Sequence, residues 1–314
     1  MGVKLLNTLL KNLNTGGINI IDLQQLQNKR IVVDASIYMF RFAATDNLLG
    51  NFYLLCSTLR HYDIHSLFIF DGPKRSEEKN ETLLDRKKIK NIYKEEYKEL
   101  SLKYKANPSN IIKRELYALR LKCATFSKKD LIAVKGLLSS YGIMYRDAEG
   151  ESDKLCAALV LENKAFACLT EDTDLFVYGC PRVLKYISTS NHTVMLYKLD
   201  HILNSLNLTY DEFKDLCYVS GTDYNMPNAG TIFDNLKNFK IYKETERKKT
   251  FLEWLTTKEL ISNDQTSQIT KIRDIYNINT NDVLKQLNYF VIRNKYVKYD
   301  KLKEQLSTVG FIFI

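Results

Sequence analysis

Carboxylates recur in this sequence where a short apolar run gives way to polar residues. Asp34 follows Ile31–Val33, Asp71 follows Leu67–Phe70, Asp147 follows Ile143–Arg146, and Glu171, Asp172 and Asp174 follow Phe166–Thr170. Two pairs stand two residues apart, Glu151 with Asp153 and Asp172 with Asp174. Any one of these acids, taken singly, reads as a turn former or a helix N-cap. As a set they ask for more, because crowded carboxylates raise one another's pKa unless cations lie between them. Oxygen ligands without His or Cys select hard ions such as Mg²⁺, with Mn²⁺ as a substitute. Two such ions about 4 Å apart can activate a water and stabilise the leaving oxygen of a phosphodiester.

The elements that must position these acids follow from the same runs. KRIVVD, HSLFIFD, YGIMYRD, KAFACLTED, PRVLKYIS and HTVMLYKL are short, β-rich and separated by helical-period segments. That alternation predicts an α/β fold with a mostly parallel central sheet flanked by helices. Ligands of open α/β sheets bind beyond the carboxyl ends of the strands, so the acids should converge on one edge. After about Asp200 the pattern turns helical, around Asp211–Val219, Thr231–Phe239, Arg247–Trp254 and Asp282–Val291. The expected organisation is an α/β core over 1–220 and a helical lobe over 221–314 packed on it. With 4 Pro, 12 Gly and no repeat or Ser/Pro-rich linker, a flexible hinge is not expected.

The formal charge of +9 favours a polyanionic partner. The charge is local: residues 73–129 hold seventeen Lys plus Arg against eight acids, a balance equal to that of the whole chain. Tyr93, Tyr97, Tyr104 and Tyr117 are interleaved with those cations, which suits phosphates and unstacked bases as well as it suits a solvated helix face. Six cysteines without a CxxC pair read as reduced core thiols rather than a zinc site. No apolar run approaches the length of a membrane span, and Leu6 stands where a myristoylation signal would have Ser or Thr. Membrane association is therefore not expected.

VVDAS at Val32–Ser36, FIFDG at Phe68–Gly72, DAEGESDKLCAALV at Asp147–Val160, TEDTDLFVYGCP at Thr170–Pro181 and GTDY at Gly221–Tyr224, behind an MGV start, occur in an order and spacing that resemble the flap endonuclease branch of the XPG/Rad-type structure-specific 5′ nucleases. The resemblance runs from Met1 to about Phe239. It implies a PIN-like 5′ nuclease fold with a helical arch over about 73–129, two-metal-ion hydrolysis of branched or flapped DNA, and Asp34, Asp71, Glu151, Asp153, Asp172, Asp174 and Asp223 as metal ligands. Asp153 stands where the cellular flap enzymes have Glu, and other branches use Asp. Asp172 and Asp174 would be indispensable to catalysis. Lys79 and Arg86 resemble the basic pair that contacts the scissile phosphate; seven residues apart, they share a helical face. Read alone they are two surface cations. Phe40 stands where the family has an aromatic that stacks on the nucleotide at the cut, although in VVDASIYMFRF it could equally face the core. Gly2, Lys74, Arg75, Lys87, Lys88 and Gly230 complete the expected DNA contacts.

The sequence departs from the family after Asp223. NMPNAG at Asn225–Gly230 replaces the Gly-Ile-Gly-type turn that grips the duplex and a monovalent cation, while Gly230 ahead of a helix could still offer backbone N–H groups to phosphate. No sliding-clamp motif is found. The expected enzyme is a monomeric, intracellular, Mg²⁺-dependent endo- and exodeoxyribonuclease of replication, repair or recombination. Its setting would be nuclear, or a cytoplasmic replication site if the bias toward Lys, Asn, Ile and Tyr, which suits an AT-rich genome, and the compact, divergent chain reflect a large DNA virus. A junction resolvase, an RNA-degrading nuclease or a silent branched-DNA-binding module of the same fold remain alternatives.

Overall fold

The computed structural model describes residues 2–13, 16–45, 47–73, 80–225, 230–245, 248–287 and 290–311, without the side chains of 80–83, 85 and 86. Its first half runs α1 (Leu6–Asn12), β1 (Ile18–Asp22), β2 (Arg30–Asp34), α2 (Ala35–Ala43), α3 (Leu48–His61), β3 (His65–Phe70), α4 (Asn80–Ala106), α5 (Asn110–Cys123), α6 (Lys128–Ser140) and β4 (Met144–Asp147). It continues with α7 (Ser152–Leu161), β5 (Ala167–Leu169), α8 (Asp174–Val177), β6 (Arg182–Ser188), β7 (Thr193–Lys198), α9 (Leu199–Leu206), α10 (Tyr210–Ser220), α11 (Ile232–Thr245), α12 (Phe251–Thr257), α13 (Asn263–Tyr276), α14 (Thr280–Leu284) and α15 (Tyr299–Ser307). The chain divides into two compact units, one of Met1–Gln25, Lys29–Val33 and Asp153–Val291, the other of Leu26–Asn28, Asp34–Ser152 and Ile292–Ile314.

In the first unit β2 pairs parallel with β5, Ile31 opposite Ala167 and Val33 opposite Leu169, and β5 pairs parallel with β6. Ile31, Val32, Val33, Ala167, Cys168 and Leu169 are fully buried. Strands covered on both faces carry such unbroken apolar runs. β6 turns back antiparallel onto β7, and β7 onto β1. The sequence reading missed β1, because INIID is short and gains its ladder only from β7. The β6–β7 register shifts between Lys185 and Ser188, where Tyr186 has φ 55°. Such a bulge bends the strand and re-aims a side chain; here Lys185 is wholly buried.

The helical part of this unit is built on capped helices. Thr209 with Glu212 opens α10, Thr250 with Glu253 opens α12, and Ser262 with Gln265 opens α13, each a reciprocal capping box. The helix expected over Asp282–Val291 stops at Leu284: α14 is five residues long and buries none of them, so no apolar face sustains further turns.

In the second unit β3 and β4 pair parallel, Leu67 opposite Met144 and Phe70 opposite Asp147. Helices α2, α3 and α6 pack around them. The 27-residue α4 packs on α5, which buries none of its residues, so the basic insert is a largely solvated helical pair. Cys123, at its end, is half-exposed rather than a core thiol; the other five cysteines are buried. The lobe expected over 221–314 does not hold to its end. From Ile292 the chain belongs to the second unit, with the Lys295 and Lys298 amides donating to Gly142 and Ser140 carbonyls at 2.7 Å and α15 on α6. Backbone pairing of that kind leaves no hydrophobic period in the sequence. Among the described residues, no helix is long and apolar enough to cross a membrane.

Candidate metal centre

The first unit holds Asp153, Asp172, Asp174 and Asp223, the second Asp34, Asp71 and Glu151. Asp172 and Asp174 lie just beyond β5, on the loop that winds into α8. The Asp172 amide donates to Thr170 Oγ1 and the Asp174 amide to Asp172 Oδ1, both at 3.0 Å, so the DTD turn is locked by its own side chains. Asp223 lies beyond α10, in a turn where Thr222 Oγ1 donates to Asn225 Oδ1 at 2.7 Å. Asp172, Asp174 and Asp223 are all buried. Burial, and then the charge of Asp223, push the Asp172 carboxyl above its ordinary range, against the Asp174 amide and Lys185. Lys185 donates to the Glu171 carbonyl at 3.0 Å, and Glu171 Oε1 accepts from the Tyr186 amide at 2.9 Å. Burial depresses the lysine's pKa while Glu171 and Asp172 oppose that. Glu171 thus braces the bulge.

Gly2 is drawn into this cluster. Its amide donates to Asp223 Oδ1 at 3.2 Å. Its φ is +82°, and a Cβ there would meet Asp172 Oδ1 at 2.3 Å, Thr173 Oγ1 at 2.5 Å and the Asp174 amide at 2.7 Å. Only glycine fits.

In the second unit Asp34 ends β2 and Asp71 follows β3. Asp71 Oδ1 accepts from the Ser152 amide at 2.9 Å and from Ser152 Oγ at 2.8 Å, while Asp34 Oδ1 lies 3.1 Å from the same hydroxyl. A hydroxyl carries one hydrogen. Two carboxylates therefore converge on one hydroxyl, and a cation placed near them would relieve their mutual repulsion. Gly72 sits so close to the loop carrying Glu151 that a Cβ would meet the Ala148 carbonyl oxygen at 1.9 Å. Asp147 is occupied elsewhere, in an ion pair with Lys135 at 2.6 Å. Among the described residues, no three His, Cys, Asp or Glu side chains gather closely enough to hold an ion by themselves. Acids in twos suit Mg²⁺, which keeps several waters and takes one or two carboxylates plus substrate phosphate oxygens.

Of the expected DNA contacts, Phe40 points outward from α2, 40% exposed, edge-on to Phe126 at 4.8 Å and with Lys90 Nζ 5.6 Å from its ring centroid. The core alternative for Phe40 is thereby excluded. Lys87 and Lys88 are exposed on α4. Lys74, Arg75, Lys79 and the side chain of Arg86 lie outside the described residues. Gly230 precedes α11 with φ +100°, but the next amide, Thr231, is committed to Asp234 Oδ2 at 3.1 Å, a carboxylate that competes with phosphate at that helix end.

Sequence reading missed Ser152 and Tyr276. Ser152 follows Glu151 directly, and nothing in its type distinguishes it from a helix cap. Tyr276 donates to Asp174 Oδ2 at 2.7 Å across 102 residues of chain. The Ser262–Gln265 capping box and the Ile269, Ile272 spacing could have located its helix, though not its partner. A cavity of about 600 Å³ lies behind Tyr276, lined by Tyr178, Tyr210, Tyr218 and Arg273. None of the seven acids lines it.

Residues 1–92 match the XPG N-terminal domain and residues 142–223 the XPG I-region, together more than half of the chain and all seven acids. The chain belongs to the XPG family of structure-specific nucleases. Flap endonuclease 1 of Methanococcus aeolicus is 27% identical over 251 residues, 72% of this chain and 74% of the relative. Human flap endonuclease 1 is 28% identical over 243 residues, 71% of this chain and 62% of the relative, so the chain spans about three fifths of that protein. Among solved structures of the XPG fold, the catalytic core of Rad2 in complex with DNA substrate is similar with a TM-score of 0.68 at 22% identity, over 99% of this chain and 96% of that one. Human GEN1 in complex with Holliday junction DNA is similar with a TM-score of 0.60 at 19% identity, over 99% of this chain and 74% of that one. At such identities the likeness is one of fold, and the α/β architecture with a mostly parallel sheet is the PIN-like one. XPG nucleases depend on metal ions, which the acid pairs in this chain suit.

Proposed function

We propose that this protein is a structure-specific 5′ nuclease that hydrolyses phosphodiesters at flaps, nicks or other branches in DNA, serving replication, repair or recombination. The observation that carries the reading is the burial of Asp172 against Asp223 at a sheet edge where only glycine fits at position 2. Folding has concentrated negative charge there at a cost in stability, which a purely structural loop would avoid.

Asp34, Asp71, Glu151, Asp153, Asp172, Asp174 and Asp223 would hold two Mg²⁺ ions, with Mn²⁺ as substitute, which supply water activation and stabilisation of the leaving oxygen when bound. The water oxygen bonds to phosphorus as the bond to the leaving oxygen breaks, and that oxygen ends protonated. The chain's own residues orient this event. Lys185 and Glu171 fix the DTD loop, and Gly2 ties the amino-terminal segment to Asp223. Phe40 offers an exposed ring to a base, beside the cation of Lys90. Lys79 and Arg86, by resemblance, meet the scissile phosphate, and Lys74, Arg75, Lys87 and Lys88 draw the single strand to the arch formed by α4 and α5. The helical lobe expected over 221–314, which the chain keeps to Val291, would grip duplex backbone, with Gly230 at the start of one of its helices. The enzyme would act as a monomer inside the cell, wherever DNA is replicated.

The test is cleavage of end-labelled single-flap, double-flap, nicked, four-way-junction and RNA substrates in Mg²⁺ or EDTA. A discrete Mg²⁺-dependent cut at the flap junction is expected, since the long arch favours a free 5′ strand. Binding without cutting, or indiscriminate RNA decay, refutes the reading, and symmetric cutting of the four-way junction replaces flap cleavage with resolution.

A further inference from the structure

We propose that Tyr276 is a positioning residue for the acid pair Asp174 and Asp223, and that through it α13 sets the metal affinity of the site; this rests on the metal reading above. Tyr276 is the last residue of α13 and is 3% exposed. Its hydroxyl donates to Asp174 Oδ2 at 2.7 Å. Its ring meets Tyr178 at 4.8 Å, Tyr218 at 5.7 Å and, edge-on, Tyr224 at 5.4 Å. Tyr178 caps the short helix that Asp174 begins, and Tyr224 is the residue after Asp223. One side chain therefore touches the support of both acids, holding Asp174 by a hydrogen bond and the Asp223 turn by a ring contact.

Helix α13 is itself anchored. One turn before Tyr276, Arg273 donates to Asp215 of α10 at 2.6 Å through Nη2 and 3.2 Å through Nε, and the capping box at Ser262 fixes its other end. A donor held so firmly on one carboxylate oxygen restricts rotation of Asp174. Partners that orient a ligand in this way are worth about 10- to 100-fold in metal affinity.

The test uses the full chain and Mn²⁺ alone, with free Mn²⁺ read by electron paramagnetic resonance, for Tyr276→Phe, Tyr218→Phe and Asp174→Asn, well below every melting midpoint. Phe at 276 keeps the ring contacts and deletes only the donor, and Tyr218→Phe removes a hydroxyl from the same ring cluster without touching an acid. The expected result is Mn²⁺ binding weakened about tenfold in Tyr276→Phe, unchanged in Tyr218→Phe and lost at one site in Asp174→Asn. In cleavage assays the Mg²⁺ concentration for half-maximal rate should rise in Tyr276→Phe with KM for DNA unchanged. Wild-type Mn²⁺ binding by Tyr276→Phe, with loss in Asp174→Asn, overturns the positioning role alone. Equal weakening in both Phe variants overturns it too, by making the effect one of ring packing. Wild-type binding by Asp174→Asn overturns the metal reading itself.

Discussion

Replacing Gly2 by Ala tests whether the amino-terminal segment belongs to the catalytic apparatus. The added Cβ would lie 2.3 Å from Asp172 Oδ1 and 2.7 Å from the Asp174 amide, so the segment or the DTD loop must shift. Because the Asp174 amide belongs to a loop locked by hydrogen bonds, the segment yields. An L side chain held at φ +82° costs about 1 kcal/mol. Losing the Gly2 amide's hydrogen bond to the Asp223 carboxylate costs about 2 kcal/mol more. Together these come to on the order of 3 kcal/mol, roughly a hundredfold in rate if the loss falls on the geometry of the acids. The assay is single-turnover flap cleavage across a Mg²⁺ titration, alongside a thermal melt. The expected result is a rate lower by about two orders of magnitude with a melting midpoint within a few degrees of wild type, since the segment can lift without unfolding the sheet. Wild-type rates at every Mg²⁺ concentration would refute the placement of Gly2 against the acids.

Asp172→Asn should abolish cleavage while DNA binding in Ca²⁺ persists, and should raise the melting midpoint without metal, because it removes a buried charge facing Asp223; undiminished turnover would defeat the assignment. Asp172 has a folded-state pKa raised above the unfolded value of about 4, so the folded state holds the proton more tightly and stability is lost as pH rises through that window. Divalent ions bind the ionised form, so Mg²⁺ should raise the melting midpoint more near pH 8 than near pH 5, and an equal shift at both would contradict it. Ser152→Ala removes the donor shared by Asp34 and Asp71; a lower Mg²⁺-dependent rate with unchanged DNA affinity is expected, and a change in DNA affinity alone would speak against it. For Lys79→Ala and Arg86→Ala, single-turnover rates should fall by about 3 kcal/mol of barrier or more with little change in affinity; a loss confined to binding would demote both to phosphate positioning.

Strand-terminal acids were legible in the chain because a sheet edge needs only local information, an apolar run followed by a polar residue. Six of the seven strands among the described residues came from such runs, as did Asp34, Asp71, Asp172 and Asp174 as strand-terminal acids; the basic insert came from its charge balance, Glu151 and Asp153 from their spacing, and Asp223 from the order of the motifs that pointed to the family. What had no local signature waited for tertiary structure. Strand β1 exists through its pairing with β7, and the stretch after Ile292 joins the second unit through backbone bonds to Gly142 and Ser140. Sequence left Phe40 between core and surface; its side of α2 was settled by what packs on that helix. Burial set the electrostatics as well. Aspartates at 172 and 223 are ordinary residues until folding removes their water and sets one charge against the other, and Tyr276 becomes a partner of Asp174 only when a helix a hundred residues further along is brought against it. Long-range pairing of this kind leaves no period or spacing in the chain, since what it requires is shape and charge at two distant points.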